Sequence, residues 1–493
     1  MSTEKKSFGQ IITSYPKSFW VASAMELFER WAWYGLFAVL ALYLTGSTDE
    51  GALGFTHTEK GQIMGIVTAI LYLLPLFTGV ISDKIGYKLS LIIAYIMLIT
   101  GYYFMGEVTT YANVFLVFLY VAVGAAIFKP VASAIITKST DKSNSTLGFG
   151  IFYMMVNIGG FIGPAFSSTL RTQFGWKIVF IQAAIVIFIN LLIVIFFFKE
   201  PDRIKNEESL GEAILSSLNN IWEALKDTKL TVLLIIMVGF WTMFNQLFYT
   251  LPTFIEDWID TAALHDSIAG VSPWLASFMS GGGTSVNPEM LINIDAGSIV
   301  LLQLLVSYYV LKMRHVSAMI TGFIVATIGI GITFYTGNGL YTVLGIVIFA
   351  IGEMMTNPTF SSFIALISPK GKEALYMGTY FVPIFAGNFF TTFVSGNLYQ
   401  AWSDKLSLLQ TEMSKRGIDM PAISQEFSKN DYFALASEKL SVTQNEMTQM
   451  IWDTYQPNKI WYVIVGIGIV TIVALTVYDR LVVRPKEKEA EMS

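Results

Sequence analysis

Glu26, Glu29 and Arg30 fall within little more than one helical turn of an apolar segment that runs from about Phe19 to Leu44. Read as a helix, this segment puts Glu26, Glu29, Arg30, Trp33, Tyr34 and Phe37 on one face. Carboxylates beside a guanidinium can take and release a proton, or grip the charged ends of a small molecule. A buried structural ion cluster uses the same residue types. Ionisable groups in a bilayer-length helix cost roughly 2.5–3.5 kcal/mol each on insertion scales, so they persist where they face a wet cavity or one another. Lys129 poses the same problem, flanked by the apolar runs 121–127 and 131–136. Its charge needs a partner or a wet cavity, and Glu26, Glu29 and Glu353 are the available carboxylates. Arg30 and Lys129 suit a substrate carboxylate, and Glu353 in the other half suits an ammonium group or a proton. Burial raises a carboxylate's pKa and a nearby lysine lowers it, so an arriving substrate can change proton occupancy.

The elements that must position these groups are membrane helices. Apolar residues make up 54% of the 493-residue chain and charged residues 14%, well below the usual quarter for soluble domains. Twelve stretches approach bilayer length, at about 19–45, 58–82, 87–106, 112–137, 147–170, 176–198, 230–250, 291–311, 316–336, 340–367, 375–400 and 459–480. The first is too long for a signal-peptide core and lacks a cleavage site, so it is expected to stay in the mature protein. Lys and Arg crowd one set of alternate loops, from Lys5 and Lys17 through Lys84, Lys138, Lys226 and Arg314 to Arg484. The short loops opposite carry only Lys60, Arg171 and Lys177. Positive-inside bias predicts both termini in the cytoplasm and an external 401–459 insertion.

The expected organisation is an N-terminal six-helix bundle (1–198), a cytoplasmic linker with an amphipathic helix (199–229), a C-terminal bundle (230–482) and a cytoplasmic tail (483–493). Two six-helix halves around a midplane site are an alternating-access architecture. Within the insertion, 432–440 and 442–455 read as short helices with a break at 419–421, a passive folded addition. The absence of cysteine removes disulfides, thiol catalysis and cysteine metal sites. His57, His265 and His315 are too scattered for a histidine metal cluster, and no basic patch with interleaved aromatics suggests nucleic acid. No serine–base arrangement supports an intramembrane enzyme.

Gly79 to Lys88 joins the second and third segments and resembles the GxxxDxxGxx[KR] pattern of major facilitator transporters, with Lys88 one position early and Asp83 as a candidate gating latch. Glu26-x-x-Glu29-Arg30-x-x-x-Tyr34-Gly35 resembles the ExxER[FW]xYYG signature of the proton-dependent oligopeptide transporter family. Phe128-Lys129-Pro130, the run Phe152 to Gly159, and Gly352-Glu353 with Asn357-Pro358 are similar to three further blocks of that family, in register. Tyr72-x-x-Pro75, Phe240-Trp241 with Gln246, and Gly387-Asn388 agree more weakly.

The resemblance implies an all-α major facilitator fold and a proton-coupled symporter importing di- or tripeptides or peptide-like cargo. No cofactor beyond the proton gradient is implied, and the setting is a bacterial cytoplasmic membrane with a functional monomer in lipid. Glu26, Glu29, Glu353 and Asp295 would couple protons. Arg30, Lys129, Trp33, Tyr34, Tyr72, Tyr153, Asn157, Asn245, Gln246, Glu353 and Asn357 would bind substrate. Departures stand beside the matches: Trp33 replaces a usual tyrosine, Phe37 a frequent second arginine, and Asn245 a frequent glutamate. Asp295 adds an acid near the usual Asn-Pro, and the two extra helices of many bacterial members are missing. Another anionic or zwitterionic cargo, in either direction, or a transporter-like receptor are the competing readings.

Overall fold

The computed structural model describes residues 12–141, 144–200, 209–335, 337–369, 372–424 and 426–485. The charged part of the linker at 201–208 and the tail beyond 485 lie outside the described residues. Twelve long helices form because every backbone group in lipid must bond within its own segment. They are α1 (Lys17–Thr45), α2 (His57–Leu73 with Pro75–Ile85), α3 (Tyr87–Met105), α4 (Tyr111–Lys138), α5 (Ser145–Phe174) and α6 (Trp176–Phe197). The second half has α7 (Thr228–Tyr249, prolonged by Leu251–Trp258), α8 (Pro288–Val310), α9 (His315–Tyr335), α10 (Gly339–Ile367), α11 (Glu373–Gly378, then Phe381–Thr392 to Tyr399–Trp402) and α12 (Pro457–Val483).

Among the described residues nine helices are individually long and apolar enough to span, and α2 joins them as a pair bent by 47°. Pro75 at the bend cannot supply the backbone donor a straight helix needs there. The remaining two are α1, which carries Glu26, Glu29 and Arg30 in its middle, and α11, which a π-turn at Phe393–Leu398 interrupts.

Two hydrophobic cores form, one from α1–α6 and one from α7–α12 together with the insertion. Within the first, α1 packs on α5 and α6, and α3 on α4 and α6; within the second, α9 packs on α10 and α12, and α7 on α11. Glycine permits the closest approach in each: a Cβ on Gly163 would stand 2.8 Å from the Gly35 nitrogen of α1. The bundles meet through α2 against α11 and α5 against α8.

The linker contributes a helix, Leu210–Leu225, started by a Ser209–Glu212 capping box and packed on the Pro75–Ile85 half of α2. Helices Lys405–Lys415, Lys429–Leu440 and Gln444–Tyr455 fold the insertion, the first of them not foreseen from sequence. Two further short helices, Thr261–Ala269 and Pro273–Ser280, bridge α7 and α8 on the same face.

Candidate functional site

A cavity of about 300 Å³ lies between the bundles. From the first bundle Trp33, Tyr34, Tyr72, Tyr153 and Asn157 line it; from the second come Asn245, Asp295, Glu353 and Asn357. Nine of the residues singled out by sequence thus share one space. Aromatic rings dominate the remainder: Phe37, Trp241, Phe244, Phe248, Tyr249 and Tyr380, with Asn293 and Asn388. Phe37 stacks on Trp33 at 5.6 Å and meets the Tyr249 ring of α7 at 5.4 Å, so an aromatic contact joins α1 to α7. Asn245 reaches Thr391 of α11 at 3.4 Å.

Five expected site residues do not line this cavity. Gln246 is fully buried and bonded within its own helix, to the Thr242 carbonyl at 2.7 Å and the Thr250 hydroxyl at 2.6 Å. One residue along a helix turns about 100°, so Asn245 faces inward and Gln246 faces the bundle. The structure therefore corrects the substrate-binding reading of Gln246.

Glu26, Glu29, Arg30 and Lys129 lie behind the cavity wall. Arg30 donates to Glu29 at 2.6 Å and lies 3.5 Å from Glu26, with all three buried. The Arg30 guanidinium sits 5.6 Å from the Tyr34 ring, and the Lys129 ammonium 4.6 Å from the Tyr72 ring. Two tyrosines that line the cavity thus each carry a cation on their far side. Among the described residues no carboxylate comes within the 4.0 Å ion-pair distance of Lys129. Of the partner or wet cavity that the sequence left open for Lys129, the structure shows this ring contact.

On the opposite wall Glu353 accepts from Asn357 at 3.1 Å, and the Asp295 carboxyl group lies within hydrogen-bonding reach of Glu353. Asn293 donates across the bundles to the Phe161 carbonyl at 2.9 Å.

The face that bears the insertion is closed by polar contacts that sequence reasoning missed. Arg171 of α5 grips Glu289 of α8 with two donors, at 2.9 and 3.3 Å. Lys60 of α2, read from sequence as a loop residue, is fully buried and donates to the Tyr249 carbonyl at 2.9 Å. His57 lies 3.4 Å from Asp404, Tyr399 donates to Asp257 at 3.0 Å, and Lys429 lies 3.8 Å from Asp257. Burial works against the Lys429 ammonium, but Asp257, Asp404 and Glu256 outweigh it and raise its pKa above the usual lysine value.

The ligating atoms of His57, Asp257 and Asp404 lie within 4.8 Å of one another, a grouping with metal-site geometry. Lys429 pairs with Asp257, His57 with Asp404, and Lys60 adds a positive charge that acts on both carboxylates, so the group reads as an ion-pair network. The insertion supplies Asp404 and Lys429, and Asn430 donates to Asp49 at 3.1 Å and Glu50 at 2.9 Å beyond α1. It is therefore a clasp between the bundles, where the sequence suggested a passive addition. At the far end of α2, Asp83 is exposed and accepts from the Tyr87 hydroxyl at 2.9 Å. No basic side chain among the described residues pairs with it at ion-pair distance.

Known proteins resemble this chain in sequence and in fold. Dipeptide and tripeptide permease B of Aliivibrio fischeri is 30% identical over 178 residues, 34% of each chain. Dipeptide and tripeptide permease A of Escherichia coli is 28% identical over 181 residues, 36% of this chain and 35% of its own. Each alignment thus spans about a third of the relative's length.

A crystal structure of the peptide transporter POT with sulfate superposes with a TM-score of 0.66 at 15% identity, covering 97% of this chain and 98% of that one. A POT family transporter in complex with 5-aminolevulinic acid gives 0.63 at 18% identity, with 92% and 98% covered. These relatives meet the oligopeptide-transporter resemblance of the motifs. The profile of the Major Facilitator Superfamily matches residues 22–288, more than half of the sequence. By that match, with twelve spans in two bundles around a central cavity, the chain belongs to the Major Facilitator Superfamily.

Proposed function

We propose that this protein is a proton-coupled symporter that imports di- or tripeptides, or a peptide-like zwitterion, by alternating access. The observation that carries this is the polarity of the cavity. Acids Asp295 and Glu353 line the wall of the C-terminal half, while Arg30 and Lys129 stand behind Tyr34 and Tyr72 on the other. A zwitterion lying across such a space meets an anion at its ammonium end and cations at its carboxylate end. The names of the permease relatives support the same cargo class.

In this reading Glu353, Asp295, Glu26 and Glu29 couple protons, the last two through their contacts with Arg30. Trp33, Tyr34, Tyr72, Tyr153, Asn157, Asn245 and Asn357 shape the binding site, and Asp83 acts at the gate opposite the insertion. The protein works as a monomer in a bacterial cytoplasmic membrane with both termini inside. Uptake of labelled dialanine into proteoliposomes under an inward proton gradient tests it. Concentrative uptake that collapses with the gradient is expected; no uptake by wild type refutes the peptide reading.

A second cargo, a small amine-bearing metabolite, is favoured by one feature. Arg30 already has two carboxylate partners, and the cavity rim is largely aromatic. Competition of dialanine uptake by a panel of amines and amino acids separates the two.

A further inference from the structure

The wall formed by α8 and α10 is built of acceptors that lack donors. Asp295 is 4% exposed, and its Oδ1 has no hydrogen-bond partner. Oε2 of Glu353 is buried and equally unpartnered, while its Oε1 is held by Asn357. The two carboxyl groups lie within hydrogen-bonding reach of each other. Two carboxylates that close repel unless a proton sits between them, which turns one acceptor into a donor.

A separate sign of a ligand comes from the amides. Asn293, 4% exposed, and Asn357 both line the cavity, and the buried Oδ1 of each has no donor. Four unpartnered acceptor oxygens on one wall match an organic ammonium, which offers three donors and no acceptor.

We infer that Asp295 and Glu353 share one proton and form a two-acid coupling site, in which one carboxyl holds the proton while the other takes the cargo's ammonium. This rests on the symport reading above and deepens it. A lone carboxylate can hold a proton or an ammonium, and the two compete. A second acid lets both ride together, which is what symport requires of this wall. The titratable groups facing the pair from other helices are tyrosines: Tyr34 of α1, Tyr153 of α5 and Tyr380 of α11. Among the described residues no lysine, arginine or histidine acts on it. Asn245, the inward-facing polar residue of α7, brings no charge, so among the described residues the acids lining the cavity are this pair.

The test uses the full-length protein in nanodiscs without cargo. Infrared difference spectra on acidification should show a protonated-carboxyl band whose frequency and pH midpoint shift in both Asp295→Asn and Glu353→Gln. Asp295→Glu, which keeps the carboxyl, should retain the band, an outcome a packing defect would not give. A band unchanged in frequency and midpoint in both amide variants overturns the shared proton.

In proteoliposomes with dialanine as the probe, Asp295→Asn is expected to lose proton-driven accumulation at least tenfold. Acid should now inhibit its dialanine binding, because proton and ammonium compete for Glu353. Wild-type accumulation by Asp295→Asn overturns the two-acid site. Failure of wild type to carry dialanine sinks the peptide reading alone, and the infrared measurement still decides whether the pair holds a proton.

Discussion

Lys60→Met is the sharpest probe of the closed face. Lys60 is fully buried at the start of α2, and its ammonium donates to the Tyr249 carbonyl of α7 across the bundle boundary. Its charge also acts on Asp257 and Asp404. Methionine keeps much of the unbranched stem while removing the charge and all three donors. A hydrogen bond from a charged group contributes about 1.5–3 kcal/mol, and stranding buried carboxylates pushes the loss toward the upper figure. The contact joins the two bundles, so the loss falls on the closed state, while in the open state water solvates the same groups.

At 1.4 kcal/mol per factor of ten, the closed-to-open ratio should drop roughly 10- to 150-fold. The chain has no cysteine, so a single cysteine at Thr68, a cavity-lining residue 5% exposed, reports opening cleanly. Its reaction with an impermeant maleimide added on the insertion-bearing face should accelerate by that factor. An unchanged rate in a protein that melts at the wild-type temperature would refute the role given to Lys60. Adding Asp257→Asn removes one stranded carboxylate, so the double variant should open less than the two single effects combined.

Other outcomes follow from the same geometry. Lys129→Ala should lose proton-driven dialanine uptake at least tenfold, and Lys129→Arg should not restore it, because a planar fork replaces a compact ammonium over the Tyr72 ring; wild-type accumulation by the alanine variant would remove Lys129 from the mechanism. Gly61→Ala puts a Cβ 2.7 Å from the Gly396 Cα and the Thr392 carbonyl oxygen of α11. Such overpacking costs about 1–3 kcal/mol, so it should also speed labelling at position 68. Ser424→Cys, in an exposed stretch of the insertion, should react only from outside intact cells, and labelling from the cytoplasm would invert the topology. Ser428 is unsuited to that experiment, because it caps the Lys429–Leu440 helix and is 3% exposed.

The membrane class and the number of spans were legible in the sequence, because each span must satisfy its own backbone and be apolar by itself. So was the Glu26–Glu29–Arg30 cluster, whose members stand within one turn or so and pair locally whatever the rest of the chain does. The resemblance to the oligopeptide transporter family likewise pointed to Glu353, Asp295, Asn157 and Asn357 as site residues, and the structure brings them to one wall or the next.

The order of residues did not reveal that Lys60 would be buried, because its partners lie in α7 and beyond α11, some 190 to 340 residues away. The docking of the insertion was equally hidden. Asp404, Lys429 and Asn430 read as ordinary polar loop residues until tertiary packing sets them against Asp257, His57 and the turn after α1. Gln246 looked equivalent to Asn245 until the rotation of α7 turned one toward the cavity and the other into its bundle. Lys129 looked like a cavity cation, yet the ring of Tyr72, from a different helix, stands against its ammonium. Pattern within a helix sets which residues share a face. What that face meets depends on the other helices, and only the assembled bundles decide it.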